Sequence, residues 1–235
     1  MKITNVVVSG LEESILASGF PMQQSHDEQL FDDRVRLLKC YLGTDRKHAI
    51  ETMNENDYNW CEKQIKRLMT LGSCEGGESH DCALVGILVS FNMTCPRLVM
   101  PEIQRYHFAE IVSSSSTMHY LKKNVKLMSE QPDKIYNFFC DYTDKRAINT
   151  FLEIANEIFD KMSENDDGTD ETIAKLKAIL PEGYLQTCRI TTNYRQLKTW
   201  VRQRSKHRLQ EWRDIVKWIH TLPLFDELTS KNKEN

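Results

Sequence analysis

A chain of 235 residues and 27.5 kDa, with 28% charged residues and a mean hydropathy of -0.53, can bury a substantial core and is not a membrane protein. Its longest apolar stretch, Cys82–Phe91, is broken by Gly86 and Ser90 and is too short to span a bilayer. Seven scattered cysteines with no CxxC pair suit free thiols in a reducing cytoplasm, and nine glycines and six prolines exclude collagenous or linker-like character.

In chain order, Lys2–Ser9 reads as a strand rather than a secretion signal, since no long apolar run follows the start. Leu11–Ala17 reads as a short helix closed near Gly19 and Pro21. Helical spacing of apolar residues marks Asp27–Leu42 and Glu51–Leu71. Gly72–Ser79 is a glycine-containing loop. Residues 83–95 alternate with period two, placing Val85, Ile87, Val89, Phe91 and Met93 on one face of a strand that Pro96 ends. Residues 102–111 are ambiguous between helix and strand, and Ser113–Ser116 reads as a turn. Helices are expected over Tyr120–Met128, Pro132–Tyr142, Lys145–Met162 and Thr172–Leu180, with a polar loop at Ser163–Asp170. One long helix is expected over Thr192–Thr221, followed by a frayed tail over Ser230–Asn235. With no internal repeat and no linker, the chain reads as one α+β domain over residues 1–235.

The formal net charge of -3 hides a split. Between Arg189 and Lys217 nine basic residues face only Glu211 and Asp214, a local surplus of +7 in a chain that is otherwise acidic. Such a segment is either a solvated helix face or the seat of an anionic partner: nucleotide, phosphate or nucleic acid. On a continuous helix, Leu197, Val201, Trp212, Ile215 and Ile219 form one stripe, with Arg208 in its middle and Arg204 at its edge. Guanidiniums facing a core need either an internal ion pair or a buried anion, and a planar fork suits phosphate or a pyrimidine edge.

Two further segments carry polar groups in suggestive order. Glu102, Arg105, Tyr106 and His107 precede Ser113, Ser114, Ser115 and Ser116, which are either an ordinary loop or a cradle of hydroxyls and backbone N–H groups. Gly76–Asp81 contains His80 between Cys74 and Cys82, but the C-x5-H-x-C spacing matches no common metal site, so no metal is expected. The chain has no GxSxG, Walker or GxGxxG motif. A nucleic-acid module built on residues 189–217 is disfavoured by the strong apolar stripe and the scarcity of aromatics among the charges.

Taken together, these segments resemble the flavin-dependent thymidylate synthases. The family's signature is R-H-R, seven residues, then Ser; here Arg105-Tyr106-His107 is followed by seven residues and then Ser115. His80 and Pro96 lie at the matching offsets upstream. Lys177, Leu180-Pro181, Asn193-Tyr194-Arg195 and Arg204 follow in the family's order, covering about 80–119 and 177–212. The stretches at 115–119 and 204–212 look like a divergent, phage-type branch. The departures are Tyr106 for the central His, His107 for the final Arg, Ser113 for an acidic residue, Thr117 for an Arg and Glu102 for a Gln.

The resemblance implies an antiparallel sheet packed with helices, assembled as a homotetramer with sites between subunits. It implies FAD as cofactor, NADPH and methylene-tetrahydrofolate as co-substrates, and methylation of dUMP to dTMP in the cytoplasm. FAD would be held by Arg105, Tyr106, His107, Asn193, Arg195 and Thr199, with His80 near flavin or folate. The nucleotide would be held by Glu102, Ser113, Ser114, Ser115, Ser116, Lys177 and Arg204, with Ser115 and Arg204 as the catalytic pair, Ser115 at the phosphate and Arg204 polarising the pyrimidine; Arg208 is added on the helical stripe alone. The motif changes leave open a nucleotide-binding relative that has lost turnover.

Overall fold

The computed structural model describes residues 1–23, 27–43, 46–74, 80–161 and 170–230. The loop expected at Ser163–Asp170, the glycines at 76 and 77 and most of the frayed tail lie outside these residues, apart from the backbone of Asp170 and from Ser230.

Four strands, β1 (Lys2–Ser9), β2 (Leu88–Pro96), β3 (Glu110–Ser114) and β4 (Leu185–Asn193), form one sheet in the order β1-β2-β4-β3. The sheet is antiparallel. The register of β2 against β4 can be read from its hydroxyl ladder: Ser90 Oγ lies 2.9 Å from Thr191 Oγ1, and Thr94 Oγ1 lies 2.7 Å from Thr187 Oγ1. One number rises as the other falls, as antiparallel pairing requires. On β2, Val89, Phe91, Met93 and Cys95 are buried, so the period-two reading is correct from Leu88 onward. It fails before that point. Residues His80–Gly86 form a 3-10 helix, and Val85 is exposed. Strand β4 carries the same inward alternation through Cys188, Ile190 and Thr192, and the sequence reading missed it entirely.

By contact density the chain separates into two compact units: Met1–Asn5 with Phe91–Ile190, and Val6–Ser90 with Thr191–Asn235. The boundary falls inside β1, β2 and β4.

The first unit holds α5 (Met100–Ile103), α6 (Thr117–Glu130), α7 (Lys145–Asp160) and α8 (Asp170–Ile179). Leu121, Val125 and Met128 of α6 meet Ile148, Phe151, Leu152 and Ala155 of α7 and Leu176 of α8 in one apolar cluster. Phe139 and Tyr184 close it edge to face at 5.7 Å. The helix expected over Pro132–Tyr142 is only a 3-10 segment, Pro132–Phe138. Residues 102–111 divide between the end of α5, a turn and the start of β3.

The second unit holds α1 (Leu11–Ala17), α2 (Glu28–Gly43), α3 (Arg46–Thr52), α4 (Glu55–Gly72), α9 (Tyr194–Arg204), α10 (Gln210–Ile219) and α11 (Phe225–Thr229). Gly10 enters α1 at φ 76, and a Cβ there would meet Gly86 O at 2.3 Å, so both backbone sign and space demand glycine. Arg67 of α4 closes the far end of α1, donating to Ser18 Oγ at 3.0 Å and to Ile15 O at 2.8 Å. Leu38, Tyr41, Ile65, Leu68, Trp200, Trp212 and Phe225 are fully buried here.

The long helix expected over Thr192–Thr221 does not exist. Its first two residues end β4, and the rest breaks into α9 and α10 across residues 205–209. Trp200 and Trp212 explain the break. Twelve residues apart on a straight helix, they would stand about 18 Å apart along its axis. Their ring centres are 5.3 Å apart, edge to face. Folding the chain back between them buries both indoles, and Arg213 secures the turn by donating to His207 O at 2.5 Å and Arg208 O at 2.9 Å. Arg213 is therefore a structural clasp rather than a freely solvated charge.

Candidate functional site

In the first unit, the serine run is not a turn. Ser113 and Ser114 complete β3, and Ser115 remains paired with β4: its N–H donates to Thr187 O at 2.7 Å, and its Oγ accepts from Thr187 N at 3.1 Å. Gln186 Nε2 donates to Ser115 O at 2.6 Å. Ser116 then caps α6, its Oγ accepting from His119 N at 3.4 Å. A strand thus delivers exposed hydroxyls directly to the N-terminus of a 14-residue helix, where backbone N–H groups and the helix dipole favour an anion. Lys177 of α8 reaches the same end, with Nζ 3.6 Å from Met118 Sδ in the first turn of α6. The structure therefore brings together Ser115, Ser116 and Lys177 from segments about sixty residues apart. Arg105, Tyr106 and His107 occupy the turn between α5 and β3, with Arg105 and His107 exposed and Tyr106 half-buried, and Glu102 is half-buried in α5.

In the second unit, Asn193 is the last residue of β4 and the cap of α9: its Oδ1 accepts from Gln196 N at 2.9 Å. That bond turns the chain from strand to helix and sets Arg195 and Thr199 one helical turn apart. Both line a cavity of about 720 Å³ with Asp81, Lys198, Arg202, His220 and Phe225. The size lies within the range of small-molecule sites. Asp81 is buried and receives Arg195 Nε at 2.8 Å on one oxygen and Lys198 Nζ at 3.1 Å on the other. Lys198 Nζ also donates to Gly72 O at 2.7 Å and Cys74 O at 2.6 Å. His80, beside Asp81, is exposed.

Arg204 ends α9 half-buried, its guanidinium 4.5 Å from the Trp212 ring centre. Arg208 corrects the sequence reading. It sits in the break between α9 and α10, exposed, so the helical phase that pointed it at the core does not apply. Asp81 and Lys198 are the residues that the sequence reading undervalued. An Asp following the glycine-rich segment and a Lys three residues after Arg195 were visible, but only folding shows that one carboxylate meets both cations. Among the described residues no cluster of three His, Cys, Asp or Glu side chains could hold a metal ion, and no helix is long and apolar enough to cross a membrane.

No family model matches the chain, and no curated protein sequence matches it. Solved structures do. Flavin-dependent thymidylate synthase ThyX from Helicobacter pylori, complexed with FAD and dUMP, superposes with a TM-score of 0.63 at 16% identity. A second Helicobacter pylori ThyX structure with FAD and dUMP gives 0.62 at 15%. Each comparison covers 97% of this chain and 96% of the other. That near-complete superposition shows that this chain has the fold of the flavin-dependent thymidylate synthases.

Proposed function

We propose that this chain is an FAD-dependent enzyme that transfers a one-carbon unit to a pyrimidine nucleotide, methylating dUMP to dTMP with methylene-tetrahydrofolate and NADPH as co-substrates. The observation that carries the reading is the superposition of 97% of the chain on a protein holding FAD and dUMP, with the ordered motif residues falling at the junctions of its elements. A homotetramer with sites between subunits, and a single functional domain over residues 1–235, belong to the same proposal.

The roles follow from the chemistry at each place. The nucleotide phosphate meets the N-terminus of α6, where Ser114, Ser115 and Ser116 supply hydroxyls and Lys177 supplies charge. Arg195 and Thr199 offer a cationic fork and a hydroxyl to the flavin nucleotide, and the cavity beside them has the charge and volume to fit part of it. Arg204, stacked on Trp212, is the cation assigned to a carbonyl of the pyrimidine, where it stabilises developing charge. Bound flavin would supply the redox and one-carbon chemistry, which frees the protein from providing a nucleophile–base pair. The chain's own contribution is binding, orientation and electrostatic stabilisation.

The test is the visible spectrum of purified protein reconstituted with FAD, followed by NADPH oxidation with and without dUMP. A flavin band and dUMP-dependent oxidation are expected; a protein that cannot be loaded with FAD overturns the reading.

A second reading is favoured by Tyr106 and His107 standing where the family signature has His and Arg. It is a nucleotide-binding relative without turnover. Thermal stabilisation by dUMP with no product supports it, and growth of a thymidine-requiring strain on this chain eliminates it.

A further inference from the structure

Arg195 shares its partner. Asp81 has one unit of negative charge and faces two cations, so the Asp81–Arg195–Lys198 cluster carries a net +1. The excess resides on Arg195. Lys198 is held by three acceptors at 2.6 to 3.1 Å and its side chain is only 18% exposed. Arg195 meets Asp81 through Nε at 2.8 Å, and its side chain is 38% exposed at the wall of the cavity. Asp81 in turn has little freedom to move: its side chain is 5% exposed and each oxygen is engaged. A carboxylate fixed in this way grips the guanidinium by the nitrogen nearest the chain. Among the described residues no hydrogen bond engages the two terminal nitrogens, which form a parallel fork suited to phosphate.

We propose that Asp81 is a positioning residue that holds Arg195 by Nε and presents its terminal nitrogens to a phosphate group of the flavin nucleotide. This inference rests on the FAD reading above and extends it to a residue with no contact to the cofactor. Lys198 belongs to the same device. By tying Asp81 to the carbonyls of Gly72 and Cys74, it fixes the carboxylate to the end of α4 rather than to α9 alone. The cost of burying the carboxylate is offset by two ion pairs, while only one of the two cations has donors left for a ligand.

The test is an FAD titration of the full chain and of the Asp81→Asn, Arg195→Ala and double variants. Asp81→Asn keeps the shape and removes the charge. It is expected to weaken FAD binding by about 10- to 100-fold, the scale of misplacing a binding group by an ångström. In the double variant the two losses should not add, because Asp81 acts only through Arg195. An additive loss would mean a merely structural role and overturns the inference, as does unchanged binding by Asp81→Asn. Should Asp81→Asn fail to fold, Arg195→Lys decides the matter. It keeps the charge without the fork, so it should bind FAD as poorly as Arg195→Ala, and binding equal to the parent overturns the inference. If the parent chain itself takes up no FAD, the failure lies with the FAD reading, and the role of Asp81 falls with it.

Discussion

The guanidinium of Arg204 lies 4.5 Å from the centre of the Trp212 ring, although eight residues separate them along the chain. On a continuous helix they would stand about 12 Å apart along the axis. The contact exists because α9 stops at Arg204 and α10 returns Trp212 beside it. Removing the stack with Arg204→Ala should cost about 1 kcal/mol of stability, read from urea unfolding. It should also lower kcat for dUMP-dependent NADPH oxidation by about 100-fold, the scale of losing one donor to developing charge. Arg204→Lys keeps a cation and should recover part of the stability but little of the rate. A kcat unchanged in both variants would remove Arg204 from the reacting centre.

Ser115 ties the end of β3 to β4 through its hydroxyl. Ser115→Ala removes the acceptor for Thr187 N–H and should cost about 1 kcal/mol. If the same hydroxyl meets the nucleotide, dUMP affinity should also fall, by about tenfold for one lost hydrogen bond to a charged group. Lys177→Met should weaken dUMP binding without destabilising the fold, because among the described residues Lys177 Nζ makes only a long contact to Met118 Sδ. Isothermal titration with dUMP separates the two. Equal dUMP affinity in the parent and in both variants would move the phosphate elsewhere.

Asn193 should matter for folding as well as for ligand. Asn193→Ala leaves Gln196 N–H without its cap and should cost about 1 kcal/mol, a fall of about 2–4 °C in Tm for a chain this size. Asn193→Asp keeps an acceptor at the same place and should restore the Tm. Failure of Asp to restore it would mean that the loss at position 193 comes from something other than capping.

Burial pushes the thiols of Cys61 and Cys188 up to about 11, with Asp57 adding to the shift at Cys61. Burial raises the Tyr194 hydroxyl as well. The folded chain keeps these protons at pH values where the unfolded chain has released them, so unfolding free energy falls as pH rises. The stability the two thiols contribute is complete below about pH 9 and is lost between about pH 9 and 11. Urea midpoints at pH 8 and pH 10.5 should show the drop, and Cys61→Ala with Cys188→Ala should reduce it. In native protein at pH 8, a thiol reagent should label the exposed Cys40 and Cys82 and spare Cys61, Cys95 and Cys188. Rapid native labelling of Cys188 would contradict its burial.

By itself the sequence determined what depends on neighbours along the chain. The period-two run ending at Pro96 is β2 from Leu88 onward, Leu11–Ala17 is α1, and the helices expected over residues 27–42 and 145–162 appear as α2 (Glu28–Gly43) and α7 (Lys145–Asp160). The order Arg105, Ser115, Asn193, Arg195 and Arg204 is a pattern of spacing that the sequence displays, and the roles drawn from it are the proposal above. Tertiary structure decided the rest. Strand β4 is specified by pairing with β2, and its mixed run Gln186-Thr187-Cys188-Arg189 carries little local signal. The break after Arg204 is set by Trp200 meeting Trp212, a contact that no helical wheel contains, and with it went the reading of Arg208. Asp81 became part of the site only when folding set its carboxylate against Arg195 and Lys198, more than a hundred residues away. Periodicity reports which face of an element is apolar; which distant charge that element will meet is fixed by packing alone.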